Sequence, residues 1–292
     1  MQPPKSEKAN QHFIPRWWLK GFAGPAGDLQ ALKQGKVRVV GVAKVMSGDW
    51  IYTVFDTWWR PSDALEDALS KIEGDASQIF ASFTSVGATR EWDAVIWFIA
   101  LSVARHPSAM GRLHELSKDF AVFLMSEIEN FSDFHSFSAA SHARFGAAIE
   151  EAEFVLLKGT PSDQREASAL HIIELQPYDK NLPQTDALLA TPLIYEALRR
   201  MECHLLHAPA SATYVLSDRP TPTAALTAGF SIPISARAAL KFIPGTSAIR
   251  SERTATAAEV TAINEAQASR TSSVLVGPDP AQLSALAPFI PL

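Results

Sequence analysis

Two side chains near the start of the chain are of types that take part in catalysis or ligand binding: His12 and Arg16 stand four residues apart in an aromatic segment. A histidine with a pKa of about 6.5 can serve as acid, base or metal ligand near neutral pH, and the arginine fork matches carboxylate or phosphate. If the segment is helical, side chains four residues apart lie on one face and come together. Pro15 disfavours a helical conformation at the residue before it, so the two side chains could instead meet in an irregular turn. The structural alternative for Arg16 is a salt bridge to Glu66 or Glu73.

Those two glutamates form the second candidate group. Glu66 and Glu73 stand seven residues apart on a helix predicted over residues 63–82, and seven residues are nearly two turns, so both point the same way. They flank an apolar stripe, where partial desolvation raises the pKa of a carboxyl group and suits an acid/base or metal-ligand role. We predict Glu66 as catalytic and Glu73 as substrate-binding, without assigning a metal. A solvated helix flank is the alternative.

A third candidate is Arg105, which closes an otherwise apolar helix predicted over residues 91–105. The structural explanation is that an arginine complements the dipole at a helix C-terminus. The functional explanation is a second anion clamp beside Arg16. A helix this apolar lies inside the protein, so its charged end must meet water, a carboxylate or a ligand.

Asp218 and Asn264 complete the candidate set. Asp218 lies in a predicted turn after a strand predicted over residues 212–216, and loops after strands often carry functional groups because the scaffold holds them still. Asp218 is predicted to orient His12 or bind a metal, with an Asx turn as the alternative. Asn264, on a helix predicted over residues 257–268, is a candidate substrate contact, although a tie between loop backbones is favoured.

Other motifs are weaker. His204 and His207, with Glu202, have a spacing that some helical metal ligands share, but they fall on a helix predicted over residues 185–207, where a surface pair is favoured. The chain has no Cys-x-x-Cys, Gly-x-Gly-x-x-Gly, P-loop or Gly-x-Ser-x-Gly motif, so nothing points to a nucleotide cofactor or a serine hydrolase. The sequence identifies no cofactor.

Composition excludes some partners. The chain has 31 acidic and 26 basic residues, a net charge of −5, which gives no general attraction to nucleic acid. Its longest apolar run, residues 94–104, is too short for a bilayer, which needs about 20 residues, so no membrane partner is predicted. The single Cys203 excludes an intrachain disulfide framework, fits a reducing compartment and predicts a cytoplasmic location. An anionic small molecule, or a protein, remains as the partner.

The predicted elements indicate a mainly α protein with a minor β component, that is, an α+β fold. Further helices are predicted over residues 108–129 and 137–158, and strands in the N-terminal and C-terminal thirds. We expect a flexible leader over residues 1–10 and a single compact helical domain over residues 11–292.

The opening His12-x-x-Pro15-Arg16-x-x-Leu19-x-x-Phe22 resembles that of the bacterial domain-of-unknown-function 4238 (DUF4238) proteins. Several later pieces are similar and occur in the same order. They are the acidic helix with Glu66 and Glu73, Arg105-His106-Pro107, Ser217-Asp218-x-Pro220 and the helix with Asn264. The resemblance spans about residues 11 to 277 and implies a bacterial, intracellular protein without a settled activity.

Two functions follow as hypotheses. The first is a hydrolase of a phosphate-bearing or other anionic substrate, with His12 as base or acid, Asp218 as its orienter, Glu66 as second carboxylate, and Arg16 and Arg105 as anion clamps. The second is a non-catalytic binding or interaction protein, for example a defence or toxin-associated partner, in which the same residues form a structural polar network.

Overall fold

The structure, a computed structural model, describes residues 10–24, 26–49, 51–55, 61–85, 90–110, 123–124, 126–145, 151–162, 164–165, 182–222, 226–245 and 247–291. The chain forms two compact units, one of residues 1–107 with 187–292 and one of residues 108–186. Each unit contains its own cluster of buried apolar side chains. Most of the predicted leader, residues 1–9, lies outside the described residues, and Asn10 begins the first strand.

Two four-stranded sheets characterise the first unit. The strands are β1 (Asn10–His12), β2 (Leu29–Lys33), β3 (Lys36–Val40), β4 (Ser47–Asp49), β5 (Val54–Phe55), β6 (Pro61–Ser62), β7 (Glu202–His207), β8 (Leu216–Ser217), β9 (Phe230–Ser235), β10 (Ala238–Ile243), β11 (Arg250–Thr254) and β12 (Leu275–Gly277). One sheet has the order β3-β2-β12-β8 and is antiparallel throughout. The other has the order β11-β7-β10-β9, with β11 parallel to β7 and the other neighbours antiparallel. The pairs β1–β4 and β5–β6 are short and antiparallel.

The hairpin of β2 and β3 shows how local sequence sets this architecture. Lys33 pairs with Lys36, so Gln34 and Gly35 form a two-residue turn, with φ angles of 50° and 71°. Two consecutive positive φ angles match a type I′ turn, whose twist suits antiparallel strands. Glycine adopts the second of these angles without a steric cost.

Both units contain helices. They are α1 (Arg16–Lys20), α2 (Ala64–Phe83), α3 (Trp92–Ala104), α4 (Phe134–Phe145), α5 (Glu151–Gly159), α6 (Leu182–Arg200), α7 (Ala257–Arg270) and α8 (Pro280–Leu286). A capping box starts α7, because Thr256 and Glu259 each accept the other's backbone amide proton. Within the described residues, no helix combines the length and apolarity that a membrane span requires.

Aromatic side chains join α1 to α2 and α3. Trp17 and Trp18 pack against Phe80 and Phe98, with ring centroids 5.1 to 6.2 Å apart. The Trp18 indole N–H also donates to the carbonyl oxygen of Pro233 on β9 at 3.2 Å. These contacts fix the segment that carries the first two candidate residues.

The second unit has a phenylalanine core. Phe123, Phe131 and Phe154 all contact Phe137 with ring centroids 5.0 to 5.6 Å apart. The helix predicted over residues 137–158 falls on α4 and α5, with residues 146–150 outside the described ones. Most of the helix predicted over residues 108–129 also lies outside them.

The α+β class is confirmed, but the prediction of a helical domain with a few short strands is wrong in part. The helix predicted over residues 185–207 ends at Arg200, and Glu202–His207 forms β7, an interior strand. The guanidinium of Arg250 donates to the carbonyl oxygens of Arg199 and Met201, at 2.6 Å each. This contact from β11 satisfies the end of α6, where carbonyl groups lack intrahelical partners.

Candidate active site

His12 lies at the end of β1 and is 8% exposed. Its Nε2 is 3.2 Å from the carbonyl oxygen of Val42. A carbonyl oxygen only accepts, so we assign the proton of the neutral ring to Nε2 and the lone pair to Nδ1. Burial, and to a lesser degree the charge of Arg16, lower the pKa of His12 below its usual 6.5. The ring is therefore a neutral base near pH 7, held in place by its donor nitrogen.

Arg16 is the first residue of α1, and its side chain is exposed. Pro15 precedes the helix, and its carbonyl oxygen accepts two amide protons of α1, so the proline starts the helix instead of interrupting it. Among the described residues, none forms an ion pair or hydrogen bond with the Arg16 guanidinium. The alternative of a salt bridge to Glu66 or Glu73 is thus not observed there.

Arg105 follows α3 and is 2% exposed. Its Nη2 donates to Oε1 of Glu73 at 2.6 Å, whereas Nε and Nη1 are buried with no hydrogen-bond partner among the described residues. The Tyr52 hydroxyl donates to the Arg105 carbonyl oxygen at 3.1 Å, and the guanidinium carbon lies 5.6 Å from the Tyr52 ring centroid. The structure therefore joins two predicted site residues as an inward-facing ion pair.

Glu66 is half-buried on α2, two turns before Glu73. Burial is the main cause that raises the pKa of the Tyr52 phenol; the charge of Arg105 opposes this, and the charges of Glu73 and Glu66 add to it. The two predicted carboxylates and the predicted arginine thus lie close enough to act on one buried phenol.

Sequence reasoning missed Gln11, the residue that joins this centre to the N-terminal segment. Gln11 is fully buried; its Oε1 accepts from the Tyr52 amide at 2.5 Å, and its Nε2 donates to Oγ1 of Thr53 at 3.2 Å. A glutamine beside a candidate histidine carries no sequence signal of its own, because glutamines are mostly exposed. Only the pairing of distant segments makes this residue important.

Asp218 is 3% exposed, and its carboxylate is hydrogen-bonded to two serines. It accepts hydrogen bonds from the backbone amides and the hydroxyls of Ser272 and Ser273, at 2.6 to 3.0 Å. His106 contacts the same residue differently, through Nε2 and the Asp218 carbonyl oxygen at 2.6 Å. We call these four residues the Asp218 cluster. Within the described part of the chain, no hydrogen bond links Asp218 to His12; the residue next to His12, Phe13, packs its ring against that of His106 at 5.0 Å between centroids.

Asn264 ties backbone together, as the favoured explanation of its sequence position has it. Its Oδ1 accepts from the Val215 amide at 3.0 Å, and its Nδ2 donates to the Thr213 carbonyl oxygen at 2.8 Å. These bonds take the backbone groups that a longer strand would need, and β8 accordingly covers Leu216–Ser217 instead of the predicted residues 212–216.

His204 and His207 lie on a strand, so their predicted placement on a helix surface is wrong. His204 Nδ1 lies 2.5 Å from Oγ of Ser251, and His207 Nε2 lies 2.8 Å from Oε1 of Glu252. Glu252 also binds Arg90 through both carboxylate oxygens. Recognising β7 from Glu202–His207 would have separated the two histidines, because side chains three apart on a strand point to opposite faces.

The described residues contain no group of three or more His, Cys, Asp and Glu side chains placed to hold a metal ion. The predicted site residues fall into three groups of contacts. They are the pair of His12, which is buried, and Arg16, which is exposed; the buried ion pair of Arg105 and Glu73; and the Asp218 cluster.

Comparison with known proteins identifies the family. A family model described as a protein of unknown function, DUF4238, matches residues 10–279, which include every candidate site residue. No curated protein and no solved structure matches the chain. The resemblance seen in the sequence motifs is confirmed, and the chain belongs to the DUF4238 family.

Proposed function

We propose that this protein is a hydrolase of a phosphate-bearing or other anionic substrate, with His12 as its general base. The observation that carries the proposal is the pairing of a neutral histidine, whose Nε2–H is held by Val42, with an exposed arginine that has no partner among the described residues. A base must have a free lone pair, and an anion site must have an available cation.

His12 supplies the lone pair of Nδ1, for which the described residues provide no hydrogen-bond partner. In the proposed reaction, Nδ1 takes a proton from water as the water oxygen attacks phosphorus. The bond between phosphorus and the leaving oxygen then breaks, and the leaving oxygen takes the proton from Nδ1, which returns His12 to its neutral form. The lowered pKa of His12 keeps this nitrogen unprotonated at neutral pH.

Arg16 supplies the anion contact. Its guanidinium is a permanent cation whose fork matches two phosphate oxygens. The same charge contributes to the lowered pKa of His12, so the two groups are within electrostatic reach of each other. The proximity of the two groups therefore supports a single site that contains both the anion contact and the general base.

The other candidates divide between support and chemistry. Arg105, Glu73, Asp218 and Asn264 bond within the protein and are assigned to the scaffold. Glu66 remains the proposed second carboxylate, because it is half-buried and its charge acts on the Tyr52 phenol.

The experiment measures hydrolysis of p-nitrophenyl phosphate and bis(p-nitrophenyl) phosphate. His12→Gln keeps an amide N–H for Val42 but removes the base, so we expect a loss of about 10² to 10⁴-fold in kcat, with an unchanged thermal midpoint. Arg16→Gln should raise KM. The matched controls are His135→Gln and Arg38→Gln, both at exposed positions, which should leave both parameters unchanged. Failure to hydrolyse either ester, or full activity of His12→Gln, would contradict the proposal.

A second function, a non-catalytic binding or interaction protein of the defence or toxin-associated kind, is favoured by a different observation. The Asp218 carboxylate bonds to Ser272 and Ser273, and the Glu73 carboxylate bonds to Arg105, so both carboxylates have partners within the protein, as in structural networks. Under this alternative His12 is structural too, so His12→Ala should lower the thermal midpoint clearly and the wild-type protein should hydrolyse neither ester.

A further inference from the structure

We propose that Ser251, His204 and Glu202 form a second reactive site, in which Ser251 is a nucleophile toward carboxylic esters. We call these three residues the Ser251 cluster. The site is independent of the His12 site, and none of its residues belongs to the predicted set.

The strand register brings the three residues together. Glu202 and His204 are two apart on β7, so their side chains lie on the same face of the sheet. Ser251 on β11 stands directly beside His204 in the parallel register. The sheet therefore fixes all three groups, and strands hold side chains more rigidly than loops do.

The hydrogen-bond directions are those of a nucleophile and its base. His204 Nδ1 lies at hydrogen-bond distance from Oγ of Ser251, 2.5 Å, whereas Nε2 lies 3.7 Å from Oε2 of Glu202, an electrostatic contact that is longer than a hydrogen bond. A lone pair facing a carboxylate is unfavourable, so the proton of the neutral ring belongs on Nε2. Nδ1 is then the acceptor, and the Ser251 hydroxyl donates to it. Nucleophile, base and a third group that orients the base are the parts that activate a serine.

The cluster is open to solvent. The His204 and Glu202 side chains are 17% and 28% exposed, and Ser251 is partly exposed. Apart from the bond to His204, no described residue forms a hydrogen bond with Oγ of Ser251. Partial exposure of all three residues is what access by a substrate requires, and a fully buried serine would lack it.

The sheet edge supplies a donor beside the nucleophile. The Cys203 amide donates to the Ile249 carbonyl oxygen, and the Ala255 amide donates to the His207 carbonyl oxygen, so odd-numbered residues of this stretch direct their backbone groups toward β7. The amide of Glu252 therefore points away from β7, toward the side of β11 on which the described residues place no further strand. An amide directly after the nucleophile can stabilise the oxyanion that forms during attack on an ester.

The chemistry needs only an ester and water. Oγ of Ser251 bonds to the carbonyl carbon while its proton moves to Nδ1 of His204. The bond from carbon to the leaving alkoxide breaks, and the alkoxide takes that proton. Water then attacks the acyl-serine by the same route and releases the carboxylic acid and free Ser251. Triads of this kind are defined by geometry and roles, so a missing Gly-x-Ser-x-Gly motif does not count against the site.

The test uses the full-length protein and a fluorophosphonate probe, whose phosphorus bonds to Oγ as fluoride leaves. We expect peptide mass mapping to place the label on Ser251. His204→Asn keeps a group that can bond to Ser251 but removes the base, and should slow labelling by about 10² to 10⁴-fold. Glu202→Gln should slow it less. The control Ser247→Ala removes an exposed serine and should change nothing.

Two results would overturn the proposal: no label on Ser251 in the folded wild-type protein, or an unchanged labelling rate in folded His204→Asn. If His204→Asn does not fold, the wild-type label and its loss in Ser251→Ala decide the question. This test separates the two sites, because His12→Gln should label normally and Ser251→Ala should hydrolyse phosphate esters normally.

Discussion

The Asp218 cluster and the Ser251 cluster each combine a carboxylate, a histidine and serine, but the three kinds of group bond to one another differently. In the first, the carboxylate of Asp218 accepts four hydrogen bonds from Ser272 and Ser273. His106 bonds through Nε2 to the backbone carbonyl oxygen of Asp218. All these groups hold the chain around the turn after β8.

In the Ser251 cluster the histidine, and not the carboxylate, contacts the serine hydroxyl. The hydroxyl of Ser251 lies against an imidazole nitrogen, and the carboxylate of Glu202 lies on the other side of the ring, at 3.7 Å. The comparison shows that residue types alone do not distinguish a structural cluster from a reactive one. What separates them is whether the carboxylate is filled by backbone amides and whether a histidine lone pair meets a hydroxyl.

The largest expected effect on stability concerns the buried ion pair of Arg105 and Glu73, whose charged groups bond within the protein as those of the Asp218 cluster do. Glu73→Gln leaves the guanidinium of Arg105 buried with no carboxylate partner in this pair, and should lower the free energy of unfolding by about 3–5 kcal/mol. Arg105→Met should cost less, because the Glu73 side chain is 22% exposed and keeps part of its hydration. Urea unfolding checks both variants.

The double variant Glu73→Gln/Arg105→Met is the control for that asymmetry, since it removes both charges. It should be more stable than Glu73→Gln alone. Equal losses in the two single variants would mean that burial of Arg105 does not govern the stability of this pair.

The next effect tests the comparison itself. Asp218→Asn replaces one acceptor oxygen with a donor that faces N–H and O–H groups of Ser272 and Ser273, and should lower the free energy of unfolding by about 2–3 kcal/mol. The matched change Glu202→Gln should alter it by less than about 0.5 kcal/mol, because this carboxylate is partly exposed. Similar losses in both variants would remove the distinction between the clusters.

A smaller effect is the pH dependence contributed by His106. Burial lowers the pKa of His106 in the folded protein, whereas the unfolded chain has the ordinary value of about 6.5. Between these two values the unfolded state binds more protons, so stability is full above pH 6.5 and falls as the pH drops through that window. His12, whose pKa is also lowered, acts with the same sign.

Unfolding in urea at pH values from 8 to 5 measures this dependence. His106→Gln keeps an N–H group for the Asp218 carbonyl oxygen but cannot be protonated, so its stability should change less with pH than that of the wild type. A steeper dependence in the variant would contradict the assignment.

The sequence predicted the parts that local patterns determine. Apolar periodicity located α2 and α3 to within one residue at each end. It failed at β7, because the Leu- and Ala-rich helix α6 runs directly into Glu202–His207, which has no β-branched residue. That segment is a strand because β10 and β11, which follow about 30 and 45 residues later, pair with it.

The site divides in the same way. The sequence motifs identified His12, Arg16 and the Arg105 helix end, and the structure joins Arg105 to Glu73. The contacts of Asp218 depended on Ser272 and Ser273, more than 50 residues away, and no local pattern announces such bonds. Pairings across the chain decided which candidates were already satisfied.

The smallest expected effect asks whether His12 and Arg16 are one site. The charge of Arg16 opposes protonation of the His12 ring, so Arg16→Gln should move the pKa of His12 upward, toward its ordinary value, as followed by NMR titration of the ring protons. Arg38→Gln removes an exposed arginine from β3 and should leave the titration unchanged. An unmoved His12 titration in Arg16→Gln would mean that cation and base do not share an environment. The pair of His12 and Arg16 would then lack the shared electrostatic environment that distinguishes it from the Asp218 cluster, whose groups bond to one another.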